Sequence, residues 1–129
     1  MKTLLLLLIP FCVLTNLSLS TFNNKALYSK TSKDAKKLAE YYRQRVIKGE
    51  SMASIAKLYS EDPGSSANGG QYDNVIPGLM VAEFEKVAYS LKPGDISEVF
   101  ETQYGFHFIQ LISRNGDKLN LRHVLITRH

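Results

Sequence analysis

The chain has a single cysteine in 129 residues, Cys12, and it sits in an apolar stretch at the extreme N-terminus. Everything after it is thiol-free, which excludes a disulfide, a cysteine nucleophile and a thiolate metal site there. Charge of one sign is never concentrated. Lys33-Asp34-Ala35-Lys36-Lys37-Leu38-Ala39-Glu40 interleaves bases with acids, so the net charge of +4 belongs to a solvated helix face and not to a nucleic-acid-binding stripe. Internal repeats, low-complexity tracts, a Gly-rich phosphate loop, a serine nucleophile elbow and paired catalytic carboxylates are missing as well. The three histidines have no spacing with carboxylates that suggests a metal site, and His129 at the chain's end has no assigned role. The one apolar run, residues 4–14, is shorter than the roughly 20 residues a membrane-spanning helix needs.

What remains is an ordinary globular composition. Apolar residues make up 44% and charged residues 22%, which argues against disorder. Lys2, the apolar run and Ser18-Leu19-Ser20 read together as a secretory signal peptide, residues 1–20, cleaved near Ser20. The expected destination is the periplasm or cell envelope, with no stable membrane insertion after cleavage. Residues 21–31 form a loose mature N-terminus containing an expected strand at 25–30.

Thr31 or Ser32 caps a helix running to about Lys48, with Ala35, Leu38, Ala39, Tyr42, Val46 and Ile47 as its inner stripe. Gly49 follows at the position that wants a left-handed residue. Ser51 caps a second helix whose Met52, Ile55, Ala56 and Tyr59 face inward. Residues 62–73, with three glycines and a proline, predict a long loop. A third helix is expected over 81–91, with Phe84, Val87 and Ala88 inside. A Lys92-Pro93-Gly94 turn then leads to strands at 96–101 and 106–113. Helices feeding a small antiparallel sheet define an α+β domain over residues 32–114.

Four blocks occur in fixed order: L-Y-S-E-D-P-G-S-S-A-N-G-G-Q-Y from Leu58, P-G-L-M-V-A-E-F-E from Pro77, L-K-P-G-D-I-S-E-V-F from Leu91, and Q-Y-G-F-H-F from Gln103. Over roughly residues 25–113 this resembles the parvulin-type peptidyl-prolyl cis-trans isomerases, especially the secreted PpiC-like and SurA-like branch. The resemblance implies a four-stranded antiparallel sheet wrapped by helices, no cofactor, and unfolded or extended proline-containing polypeptides as partners, with no nucleic acid. It also assigns roles. Met80 and Phe84, four apart on a helix start, match the Met and Phe that line the proline pocket. Tyr72 falls where the family usually has Leu beside that pocket. Asp62 matches a position held by Cys or Asp near the isomerising bond, and it also begins an Asp62-Pro63-Gly64 turn. His107 fits the family's G-x-H and would belong to a pair of neighbouring histidines under the site. Tyr104 stands where the family often carries a hydroxyl.

The second histidine is displaced. The family opens with a strand of the type R-H-I-L-V, and the aligned residues 25–29 carry Ala26 in place of the histidine. Arg122-His123-Val124-Leu125-Ile126 occurs instead near the C-terminus. Two explanations follow. Residues 115–129 either begin a second module of a tandem protein or form a hairpin strand that fills the first-strand slot. A three-residue Arg114-Asn115-Gly116 loop would pair Leu111 with Leu119, Ile109 with Leu121 and His107 with His123. A two-residue Asn115-Gly116 turn would shift the register and break these pairs. The expected site is therefore Asp62, His107 and His123 on the polar side, with Met80, Phe84, Tyr72 and Tyr104 around the substrate. The expected activity is isomerisation of X-Pro bonds in exported proteins, and the rival is a peptide-binding chaperone module without turnover.

Overall fold

The computed structural model describes residues 31–128. The expected signal peptide, the strand at 25–30 and His129 lie outside them. Three helices, α1 (Ser32–Ile47), α2 (Met52–Tyr59) and α3 (Ala82–Ser90), accompany four strands, β1 (Gln71–Val75), β2 (Phe100–Thr102), β3 (Gly105–Asn115) and β4 (Lys118–Thr127). All strand pairs are antiparallel and their order across the sheet is β1-β4-β3-β2. The α+β class and the four-stranded sheet are as expected.

Thr31 starts α1 with a reciprocal cap: its hydroxyl accepts from the Asp34 amide while the Asp34 carboxylate accepts from the Thr31 amide. Ala35, Ala39, Tyr42 and Val46 are buried, but Ile47 is 50% exposed at the helix end and does not belong to the stripe. Ser51 caps α2 through the Ser54 amide. Tyr59 stacks on Tyr42, ring centroids 4.4 Å apart.

The sheet is covered on both faces, so its central strands are apolar almost throughout. Phe106, Phe108, Val124 and Ile126 pack against α1 and α2. Ile109, Leu111, Leu119 and Leu121 face α3 through Phe84 and Ala88. By strand alternation His107 and His123 lie on the α3 face.

Three expectations need correction. The loop predicted for 62–73 ends at Gly70, and Gln71–Val75 is a strand. Its sequence is mostly polar, and it owes its extended form to β4. Gly70 accepts from the His123 amide at 2.9 Å, and a Cβ on Gly70 would stand 2.3 Å from the His123 carbonyl oxygen. The strand expected at 96–101 shrinks to Phe100–Thr102, because the Ser97 hydroxyl takes the Ile109 amide and replaces a ladder bond there.

The third correction concerns the hairpin. Asn115 pairs with Lys118 across a two-residue Gly116-Asp117 turn, with Gly116 at φ +64°. The ladder slips once between Leu111 and Ser113, after which Leu111 faces Leu121, Ile109 faces His123 and His107 faces Leu125. The irregularity at Ile112 matters because the tight turn alone would turn β4's apolar set to the wrong face. The extra residue restores it. The expected pairs are thus offset by two residues, and the faces are kept.

Candidate functional site

A cleft of about 440 Å³ opens on the α3 side of the sheet, and Asp62, Tyr72, Met80, Phe84, Tyr104, His107 and His123 all line it. Every site residue expected from the sequence therefore reaches one place. They come from separate parts of the chain: the turn after α2 (Asp62), β1 (Tyr72), the loop into α3 (Met80), α3 itself (Phe84), the β2–β3 turn (Tyr104), and the paired strands β3 and β4 (His107 and His123).

Asp62 is the hub. Its Oδ2 accepts from Ser65 Oγ at 2.6 Å, Tyr72 OH at 2.8 Å and His123 Nε2 at 2.8 Å, while Oδ1 accepts from the Gly64 amide at 3.2 Å. The His123 bond, with those from Ser65 and Tyr72, holds this carboxyl well below the usual carboxylate range despite burial. Asp62 also starts the expected turn, its carbonyl accepting from the Ser66 amide at 2.9 Å. It does both jobs.

His107 and His123 are almost fully buried. Their Nδ1 atoms lie 3.4 Å apart and their rings are stacked at 18°. His107 Nε2 is 2.7 Å from the Thr102 hydroxyl. Burial, then the neighbouring His123, pushes the His107 imidazole down to about 3, so it is neutral at physiological pH. Two proton arrangements satisfy this chain. With His123 neutral and protonated on Nε2, His107 Nδ1 donates to His123 and Thr102 donates to His107. With His123 doubly protonated, both directions reverse.

Phe84 presents its ring edge-on to both imidazoles, with centroids 5.7 and 5.3 Å away. It is only 3% exposed and packs with Ile109 and Leu111, so it is core and cleft wall at once. Phe100 stacks on His107 with ring centroids 5.3 Å apart, next to Phe84. Met80 is half-buried, and its loop is tied to α3 by Glu85 Oε1, which accepts from the Gly78 and Met80 amides. Leu79 and Tyr104 are 58% and 55% exposed at the mouth.

Sequence reasoning missed Ser65, Thr102 and Glu85. Ser65 and Thr102 are buried hydroxyls, and their signal was positional. Ser65 lies three residues after Asp62, within reach of its carboxylate, and Thr102 lies directly across β2–β3 from Gly105. No buried side-chain polar atom among the described residues lacks a hydrogen-bond partner.

Residues 19–113 match the family model described as the PPIC-type PPIASE domain, rotamase. The chain is 45% identical over 82 residues to the foldase protein PrsA of a Geobacillus species, covering 64% of this chain and 30% of that protein. It is 39% identical over 77 residues to the chaperone SurA of Nitrosococcus oceani, covering 60% and 18% respectively. The crystal structure of the peptidylprolyl isomerase PrsA from Bacillus cereus aligns with a TM-score of 0.59 at 41% identity, over 62% of this chain and 31% of that one. The chain spans under a third of the length of these relatives. The matched residues stop before β4, which supplies His123, Leu125 and Thr127 to the cleft.

Proposed function

Because the chain belongs to the family of PPIC-type peptidyl-prolyl isomerase domains, we propose that its cleft accelerates cis–trans isomerisation of X-Pro bonds in unfolded or extended exported polypeptides. Rotation about a peptide bond faces a barrier of about 18–20 kcal/mol, while cis and trans before proline differ by only about 0.5–1 kcal/mol. The reaction lacks speed, not driving force, and requires no cofactor. A catalyst must seat the proline ring in an apolar socket, exclude water, and favour the twisted amide over the planar one.

One observation carries this reading: Met80 and Phe84 form an apolar wall in the same cleft as a fully satisfied polar chain running from Asp62 through both histidines to Thr102, with Phe84 against both imidazoles. The wall suits a proline ring. The polar floor offers a fixed set of dipoles that need no rearrangement as the amide twists. The same reading assigns residues 115–129 to this domain as its closing strand, since β4 lies between β1 and β3, and takes residues 1–20 as an export signal. Among the described residues no helix is long and apolar enough to cross a membrane.

A protease-coupled assay on short X-Pro peptides tests the proposal. A rate above the uncatalysed one, lost in Phe84→Ala protein that remains folded, supports it; the uncatalysed rate from folded protein rejects it. The second reading, a holding module, draws on Leu79 and Tyr104, apolar groups exposed at the cleft mouth where an extended chain would rest.

A further inference from the structure

Tyr72 falls where the family resemblance places a leucine beside the proline pocket. The hydroxyl has a different employment. It donates to Asp62 Oδ2 at 2.8 Å, the same oxygen that receives Ser65 and His123. The phenol ring lies beside His123, centroids 5.5 Å apart. Gly64 records the same fit from the other side. Its φ lies outside the left-handed region, so its backbone does not call for glycine, yet a Cβ there would stand 2.6 Å from the Tyr72 oxygen. The Asp-Pro-Gly turn is folded down onto the phenol.

An ionised carboxylate offers about four lone-pair positions and donates nothing. Ser65, Tyr72 and His123 crowd Oδ2 of Asp62, and the Gly64 amide takes a position on Oδ1. The carbonyl before a proline is an acceptor and the prolyl nitrogen carries no hydrogen, so neither can bond to such a group. Asp62 must therefore act through its donors.

We propose that Tyr72 is a positioning residue: its hydroxyl locks the Asp62 carboxylate in the rotamer that orients His123, while its ring walls the cleft, and Asp62 works through His123 without touching substrate. This rests on the isomerase reading. A hydroxyl bonded to the carboxylate leaves the socket face of the ring apolar, which accounts for a tyrosine where leucine was expected.

The test uses Tyr72→Phe, Asp62→Ala and the double variant in the purified protein, with kcat and KM measured on an X-Pro peptide. Tyr72→Phe should lower kcat at least about tenfold, the loss expected for a hydrogen bond to a charged group, with KM changed less than twofold. In the Asp62→Ala background the same substitution should change kcat less than twofold. A rise in KM with kcat intact, or an equal kcat loss in both backgrounds, would overturn the proposal. A second measurement does not need activity. Burial, then the bond to Asp62, raises the Tyr72 hydroxyl above its ordinary titration range. Nuclear magnetic resonance of ring-labelled tyrosine should show that titration moving to lower pH in folded Asp62→Ala protein. An unmoved midpoint overturns the role of Tyr72, whether or not the chain isomerises anything; absence of turnover from the folded wild-type chain with the midpoint moving as expected overturns only the isomerase reading.

Discussion

His107 and His123 touch at Nδ1 without being partners in the β-ladder. His107 stands opposite Leu125 and His123 opposite Ile109, so the imidazoles meet on the diagonal, 3.4 Å apart. Long side chains bridge such diagonal neighbours, whose Cα atoms lie about 7–8 Å apart. The contact depends on the irregularity at Ile112, which sets the phase of β4 against β3.

Removal of residues 116–129 should abolish the fold. Without β4 the sheet loses the strand between β1 and β3, and Ile109 and Leu111 lose Leu119 and Leu121 as neighbours. The exposed apolar edge should drive aggregation. Thermal unfolding of the shortened chain should show no cooperative transition. A stable, active product would mean that residues 115–129 belong to a different module.

Gly70→Ala probes the same junction with one methyl group. The residue has φ +76°, and its Cβ would collide with the His123 carbonyl and Ala56. Destabilisation should exceed about 1 kcal/mol, with β1 and Tyr72 displaced from β4. Denaturant unfolding reads the first effect and peptide turnover the second. Unchanged values for both would show that β1 and β4 do not approach as closely as described.

Much of this was legible beforehand, and the reasons are local. The helices carry 3.6-residue apolar stripes and hydroxyl caps, signals set by the chain's own neighbours. The cleft residues Asp62, Tyr72, Met80, Phe84, Tyr104 and His107 sit in blocks whose order the sequence displays. The strand Gln71–Val75 was not legible, because Tyr72-Asp73-Asn74 lacks alternation and Asn74 adopts φ +55°. Its pairing is decided by β4, nearly fifty residues away. The hairpin register failed for a related reason: the turn and the irregularity at Ile112 offset each other, and only packing on both faces of the sheet selects that combination.

Phe84→Ala should damage stability and function together. The side chain is buried among Ile109, Leu111 and Phe100, so truncation should cost about 3–5 kcal/mol. Peptide affinity measured on the folded fraction should fall as well, since the same ring walls the cleft and contacts both histidines. A core penalty with unchanged affinity would remove Phe84 from the substrate site.

Acid should weaken the fold in two stages. His107 has its folded pKa pushed from 6.5 down to about 3, so the unfolded chain binds the extra proton between those values. Its contribution is complete above about pH 6.5 and is lost as pH falls toward 3. Asp62, depressed below 3.8 by His123 and its other donors, adds a further loss at pH below its unfolded value. Melting temperatures from pH 7 to 4 should fall in the wild type and fall less steeply in His107→Gln. Parallel slopes would show that His107 is not held neutral by burial.

The most direct test is exchange spectroscopy by nuclear magnetic resonance on a proline peptide mixed with a small amount of the protein. Uncatalysed interconversion takes tens to hundreds of seconds at 25 °C and gives no exchange cross-peaks between cis and trans signals on a sub-second mixing time. The account predicts strong cross-peaks with the wild-type chain and their loss in His123→Ala, with peptide binding retained. Peptide signals that shift on binding but show no cross-peaks with the wild-type chain would contradict it and make the cleft a holding site.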